Sequence, residues 1–311
     1  MTKVNEYYAD KRTSANLVYI NHLLKSPPVI MLPRKIIPAW QEENLWRCVW
    51  AVGILTQAGV DKKRLQDLRH KKVLPVSELE QRLLNLANLL RHADTLKNHL
   101  HQQEKVVKIY QQLLGGQDKL SIKRQLFKEL MEWLFADERT HPLVRVGVAY
   151  KYLIEEKVFP LDSELMARLF LLLLLRHFGY QVAKMWVLED YDLLNLSRFR
   201  GRLERPCLDD YAPWLDYFIK GVRYSLQVSY DSAYAWQEIV LASHNLTAAE
   251  KKTYQQLRDY AGAKNLAAAA EILGVSRQRA HVLLGHLVTK GVVERLGSGK
   301  KITFRLAYRC I

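Results

Sequence analysis

From Val76 to Leu100 the chain repeats leucines at intervals of three and four, with charged and amide side chains between them. That spacing predicts one amphipathic helix with a single buried face. Tyr110 to Leu114, Leu126 to Leu134 and Val146 to Ile154 carry the same period, and Leu169 to Leu175 is apolar without interruption. Few segments alternate as strands would. Punctuation at Pro27-Pro28, Gly115-Gly116, Pro142, Gly179 and Pro206 separates the helices by short turns. The pattern predicts an N-terminal helical extension over 1–44 and one all-α domain over 45–240.

The pattern changes at SHNLTAAEKKTY. Thr247 and Glu250 have the spacing of a capping box, in which hydroxyl and carboxylate satisfy backbone N–H groups left over in the first helical turn. A second helix, NLAAAAEILG, stops at Gly274, and Gly274-Val275-Ser276 turns into a third, RQRAHVLLGHLVTKG. Alanines 267 to 270 let these two helices lie close. Ile272, Leu273, Val282, Leu283 and Leu287 are the expected shared core, in helix-turn-helix spacing. In VVERLGSGKKITFRL, a Gly-Ser-Gly turn joins two short strands, with Ile302, Phe304 and Leu306 inward and Thr303 and Arg305 outward. The fold class expected is mainly α, a helical domain followed by a small α+β winged helix over 247–311.

Charge sharpens this picture. The 311-residue chain has a net charge of +15. From Thr247 onward twelve Lys or Arg face four Asp or Glu, about half the excess in roughly a fifth of the length. Arg277, Gln278, Arg279 and His281 fall on the first turns of the expected recognition helix, where side chains reach base edges. Lys300, Lys301 and Arg305 fall on or beside the wing, where they would pair with phosphates. Double-stranded DNA is the expected partner; the competing reading makes the module a protein-interaction unit with a solvated basic face. Further basic clusters occur at Lys62, Lys63, Arg64 and RHKK (69–72), and at SRFRGRLER (197–205). Trp46 and Trp50, four apart, suit core packing. The longest apolar run is far short of the ~20 residues that cross a bilayer, and the polar N-terminus lacks an export signal. Cys48, Cys207 and Cys310 show no metal-ligand spacing, so a cytoplasmic protein without a metal site is expected.

Residues 140–180, THPLVRVGVAYKYLIEEKVFPLDSELMARLFLLLLLRHFGY, resemble the core of the Fic (Fido) family, in which an H-P-L helix leads to the motif HPFxxGNGRxxR and a leucine-rich helix. PWLDYFIKGVRYSL (213–226) resembles the helix that follows, and a winged helix after it is common in bacterial members; the likeness covers 45–311. Aligned without gaps, Phe159 matches the motif's phenylalanine and Arg168 its second arginine. Lys157 stands at the catalytic histidine, Val158 at the proline, and Asp162-Ser163-Glu164-Leu165 at G-N-G-R. With one gap, Asp162 falls on the acidic, metal-binding position. Phe159, Asp162 and Arg168 would thus mark a vestigial nucleotide site within 157–168.

In the family the histidine is the general base, a role to which a protonated lysine is poorly suited. The glycines let phosphates approach backbone N–H groups at a helix N-terminus, where carboxylates repel them. Without the resemblance, the segment reads as a surface turn capping a core helix through Asp162 or Ser163. Two more family features are altered: the target-docking flap before the H-P-L helix is missing around Gly115-Gly116, and ILTQAGV has Ile54 and Ala58 where an inhibitory helix carries its hydroxyl and glutamate. His141-Pro142 starts the preceding helix and is read as structural.

The resemblance therefore implies a catalytically inactive Fic-fold protein, without cofactor, that regulates transcription through its winged helix. Its alternatives are a divergent nucleotidyl (AMP) transferase using ATP and Mg through Lys157, Asp162 and Arg168, and a scaffold in a toxin-antidote-like system. A homodimer on a palindromic site is an expectation from symmetry.

Overall fold

The computed structural model describes residues 11–24, 37–56, 60–116, 122–207, 210–243, 245–258, 264–297 and 302–306. Its contacts divide the chain into two units, residues 1–25 with 41–228 and residues 26–40 with 229–311.

The first unit is helical. Its elements are α1 (Lys11–Leu24), α2 (Ile37–Leu55, from Gln41 on), α3 (Lys62–Arg69), α4 (Glu78–Arg91), α5 (Ala93–Leu96), α6 (Gln103–Leu113), α7 (Arg124–Ala136), α8 (Pro142–Glu155), α9 (Ser163–His177), α10 (Glu189–Leu194), α11 (Leu196–Glu204) and α12 (Ala212–Ser243) as far as Val228. Every residue from Leu165 to Arg176 is buried. A helix apolar on all sides must be surrounded, so α9 is the axis of the unit. The Leu169–Leu175 run buries five leucines besides Phe170 and Leu171, each adding ~1.5–3 kcal/mol of transfer free energy. α8 packs along α9, and its Gly147 admits α12: a Cβ there would lie 2.8 Å from Leu215 and Phe218. Trp214 Nε1 donates to the Gly147 carbonyl at 2.8 Å, which fixes the crossing.

The long helix expected over 76–100 is broken. Ser77 caps α4 through Glu80 N–H, but His92 leaves helical geometry, and its ring and backbone N–H both turn to the Asn88 carbonyl. α5 and a 3-10 turn over Lys97–His99 continue the apolar face with Leu96 and Leu100. Leucine spacing survives the break, which is why the period alone does not reveal it.

The second unit contains α13 (Ala248–Arg258), β1 (Lys264–Asn265), α14 (Leu266–Leu273), α15 (Arg277–Thr289), β2 (Val293–Leu296) and β3 (Thr303–Leu306). The strands form an antiparallel sheet in the order β1-β3-β2, with Lys264 opposite Phe304 and Leu296 opposite Thr303. The expected capping box forms: Thr247 N–H donates to Glu250 Oε2 at 2.7 Å, and Glu250 N–H to Thr247 Oγ1 at 3.3 Å. Gly274 closes α14 in the left-handed region at φ 62, and Ser276 Oγ caps α15 by accepting from Arg279 N–H. Its core joins Tyr254, Ala269, Leu273, Ala280, Leu284, Leu287 and Phe304. Val282, expected in that core, is 41% exposed; Ala280, Leu283, Leu284 and Leu287 fill the inward face of α15 and leave Val282 on the other.

Candidate functional site

The loop between α8 and α9 carries the residues aligned with a nucleotide-transfer motif. Its first half is a helix ending: Lys157 N–H donates to the Ile154 carbonyl and Val158 N–H to that of Leu153, both at 3.2 Å, with Lys157 at φ 45. This is a Schellman closure with lysine at the position that glycine usually fills, at a cost of about 1 kcal/mol. Val158 and Leu153 are both fully buried, as the motif's apolar contact requires. Phe159 enters a ring cluster, 5.3 Å from Tyr110 and 6.2 Å from Phe170. The Tyr110 hydroxyl then accepts from Leu161 N–H at 2.7 Å and donates to the Leu161 carbonyl at 2.5 Å. Lys123 adds a backbone bond to the Val158 carbonyl at 3.0 Å and an ammonium bond to the Glu156 carbonyl at 2.6 Å.

The second half corrects the capping expectation. Asp162 stands at the N-cap of α9 but in the left-handed region, φ 45, and its side chain caps nothing. Its carboxylate pairs with the Arg82 guanidinium, which also holds Glu78 at 2.7 Å. Ser163 Oγ is buried with no hydrogen-bond partner among the described residues. Glu164 pairs with Arg200 at 3.0 Å. Thr56, Lys157, Asp162, Ser163, Glu164 and Leu165 line a cleft of about 500 Å³ here.

Arg168 does not reach that cleft. It is buried in α9, its guanidinium 2.9 Å from Asp192 Oδ2, 3.9 Å from Glu189 Oε1 and 4.9 Å from the Tyr150 ring. Tyr217 donates its hydroxyl to Asp192 Oδ1 at 3.0 Å. Burial pushes Glu189 up to about 7, with Arg168 pulling the other way. Burial also raises the neighbouring Cys48 thiol well above its ordinary value, with the Glu189 charge acting in the same direction. Sequence reasoning missed Glu189 and Asp192. They lie more than twenty residues beyond Arg168, and only the presence of acidic side chains in an apolar stretch hints at a buried pair.

His141 accepts Leu143 N–H on Nδ1 and so caps α8; burial lowers its pKa. Three members of the first basic cluster are tied internally. Arg64 pairs with Glu80 at 2.9 Å, Arg69 with Glu43 at 2.7 Å, and Lys62 lies over the Trp50 ring. Trp46 is buried under Arg91. Among the described residues no group of three His, Cys, Asp or Glu is placed to hold a metal ion, and no helix is long and apolar enough to cross a membrane.

In the second unit the predicted base-reading residues do come together. Arg277, Gln278, Arg279 and His281 are all exposed on the first turns of α15, and neither arginine side chain has a hydrogen bond or ion pair among the described residues. Lys300 and Lys301 lie outside the described residues, as does the Arg305 side chain; Arg305 itself sits in β3 opposite Glu294. The far end of α15 is anchored: Lys290 reaches Glu250 at 2.7 Å and the Asn245 carbonyl at 3.0 Å. That ammonium bond and the Thr247 backbone hold Glu250 down to about 2.

No family model matches the chain, and no curated protein does. Solved structures do. A Fic family protein from Desulfovibrio desulfuricans G20 is similar at 14% identity and a TM-score of 0.60, over 96% of this chain and 97% of that one. A Fic domain containing signaling protein from Bacteroides thetaiotaomicron VPI-5482 is similar at 10% identity and 0.54, over 72% and 98%. Fic-1 from C. elegans is similar at 16% identity and 0.51, over 72% of each chain. At such identities the likeness shows the fold: this chain has the fold of Fic proteins.

Proposed function

We propose that this chain is a DNA-binding transcriptional regulator whose Fic fold no longer performs nucleotidyl transfer. The observation that carries the reading is the first turn of α15, where a serine cap presents Arg277, Gln278, Arg279 and His281 to solvent, with no side-chain hydrogen bond or ion pair among the described residues. The order helix, short strand, helix, helix, hairpin supports a winged-helix reading, in which the third helix would enter the major groove. Arginine side chains there suit bidentate contact with guanine, and Gln278 suits adenine. Lys300, Lys301 and Arg305, which the sequence pattern assigns to or beside the wing, would take phosphates, and a homodimer would match a two-fold operator.

The aligned loop in the first unit does not fit a nucleotide and its magnesium. Arg168 neutralises Asp192 in the core, and Asp162 and Glu164 bring carboxylates to the end of α9 where phosphates would sit. Lys157 closes a helix in place of the histidine that would accept a proton. No step is derived through that cleft.

The test is fluorescence anisotropy on a duplex from the protein's own promoter region, titrated with salt, for the wild type and Arg277→Ala/Arg279→Ala. Tight binding that resists competitor DNA, and that in the variant falls at least ~10-fold and loses its resistance to competitor, is the expected result. Equal, weak binding by both proteins overturns it, and binding of ATP to the wild type would then revive the transferase reading.

A further inference from the structure

On its solvent side α15 presents a ridge that its own fold does not require. Helical geometry places Gln278, Val282 and Gly285 along one stripe, at spacings of four and three, opposite the buried Ala280, Leu283, Leu284 and Leu287. Val282 is 41% exposed, an apolar side chain at the centre of a basic and polar face. Three residues further on, Gly285 lies mid-helix, where glycine is less favourable than alanine. A Cβ at that position would meet nothing within 4 Å, so internal packing gives no reason for glycine. Arg277 and His281 flank the ridge on one side, Arg279 and His286 on the other, all exposed. An apolar side chain and a missing one, framed by arginines and histidines, fit a surface that is anionic at its edges and carries methyl groups at its centre.

We infer that this ridge selects A·T pairs in the major groove, with Gln278 pairing with adenine, Val282 packing on a thymine methyl and Gly285 allowing the groove floor to approach. The inference rests on the DNA-binding reading and adds an A·T stretch, read through a thymine methyl, to the guanine contacts that suit the arginines. Glutamine matches the donor and acceptor of adenine N6 and N7, and the thymine C5-methyl is the one apolar group that the major groove displays. Gln278 and Val282 are separated by ~6 Å along the helix, about two base-pair steps, so their contacts fall within one short A·T stretch. The flanking arginines grip the outer positions of the same half-site.

The experiment uses the full chain. A preferred site is selected from a randomised duplex library, and each thymine in it is then replaced by deoxyuridine, which removes only the methyl group. The wild type is expected to lose affinity about fourfold at one or two such positions, the effect of one buried methyl. Val282→Ala should lose a similar factor on the thymine duplex and become indifferent to deoxyuridine there. Gly285→Ala should raise the thermal midpoint and yet weaken binding. Selection of a site that depends on Arg277 and Arg279 but shows no thymine-methyl effect, or an unchanged methyl effect in Val282→Ala, overturns the inference and leaves the DNA reading intact. A library that yields no preferred sequence overturns both.

Discussion

Two helices of this molecule, α9 and α15, are each entered through a residue in the left-handed region, and each has arginine within its first two turns. At α15 the left-handed residue is Gly274, a serine supplies the cap, and the arginines point outward with no internal partner among the described residues. At α9 it is Asp162, no side chain caps the helix, and Arg168 is turned into the core against Asp192. The same residue type stays available at the surface where its charge is left unmatched and serves structure where a buried carboxylate matches it. What decides between these roles is the partner, and partners come from elsewhere in the chain.

Mutation can break this comparison at its widest point. Arg168→Ala leaves Asp192 and Glu189 buried without their cation and is expected to destabilise the first unit by about 3–5 kcal/mol in denaturant unfolding. A stable variant that had lost only nucleotide binding would reverse the assignment of α9. Glu250→Gln is next, at about 2 kcal/mol, because it weakens a capping box and removes the ion pair that anchors the end of α15. The carboxyl titrates near 2 when folded and near 4.5 when unfolded, so its contribution is present above about 4.5 and fades as the pH falls towards 2. Thermal midpoints between pH 7 and 2 should show this decline in the wild type and a weaker one in the variant. Tyr110→Phe removes both bonds to Leu161 and should cost about 1–2 kcal/mol without changing DNA affinity. At the small end, Arg277→Ala/Arg279→Ala should alter stability by no more than ~0.5 kcal/mol, since both side chains are exposed, and its whole effect should be seen in DNA binding.

Local signals made much of this legible in advance. Thr247 and Glu250 announce the start of α13 by their spacing, Gly274 the end of α14, and the leucines of α9 the burial of that helix, because caps and periodicity act over one or two turns. What stayed hidden involves distance or competition. His92 interrupts a helix with no glycine or proline to warn of it, since a ring nitrogen competes for the Asn88 carbonyl. Lys157 closes α8 in a backbone conformation typical of glycine, through bonds to the Ile154 and Leu153 carbonyls, with no glycine in the sequence to mark the end. Val282 has core-like spacing and is displaced to solvent by Ala280 and Leu284, small and large residues that together complete the inward face. The candidate interface was legible because exposed charge on a short helix needs no partner; the fate of Arg168 was not, because it needs two.

The Tyr110 hydroxyl gives the α8–α9 loop something like a ratchet. It occupies the N–H and the carbonyl of Leu161 together, while Lys123 occupies two carbonyls beside it. Placing histidine, glycine and asparagine within positions 157–164 would disturb this closed network, losing stability before any ligand-binding loop was complete. Such a change by single substitutions is therefore uphill, whereas substitution of cleft side chains that leaves the network intact is close to level.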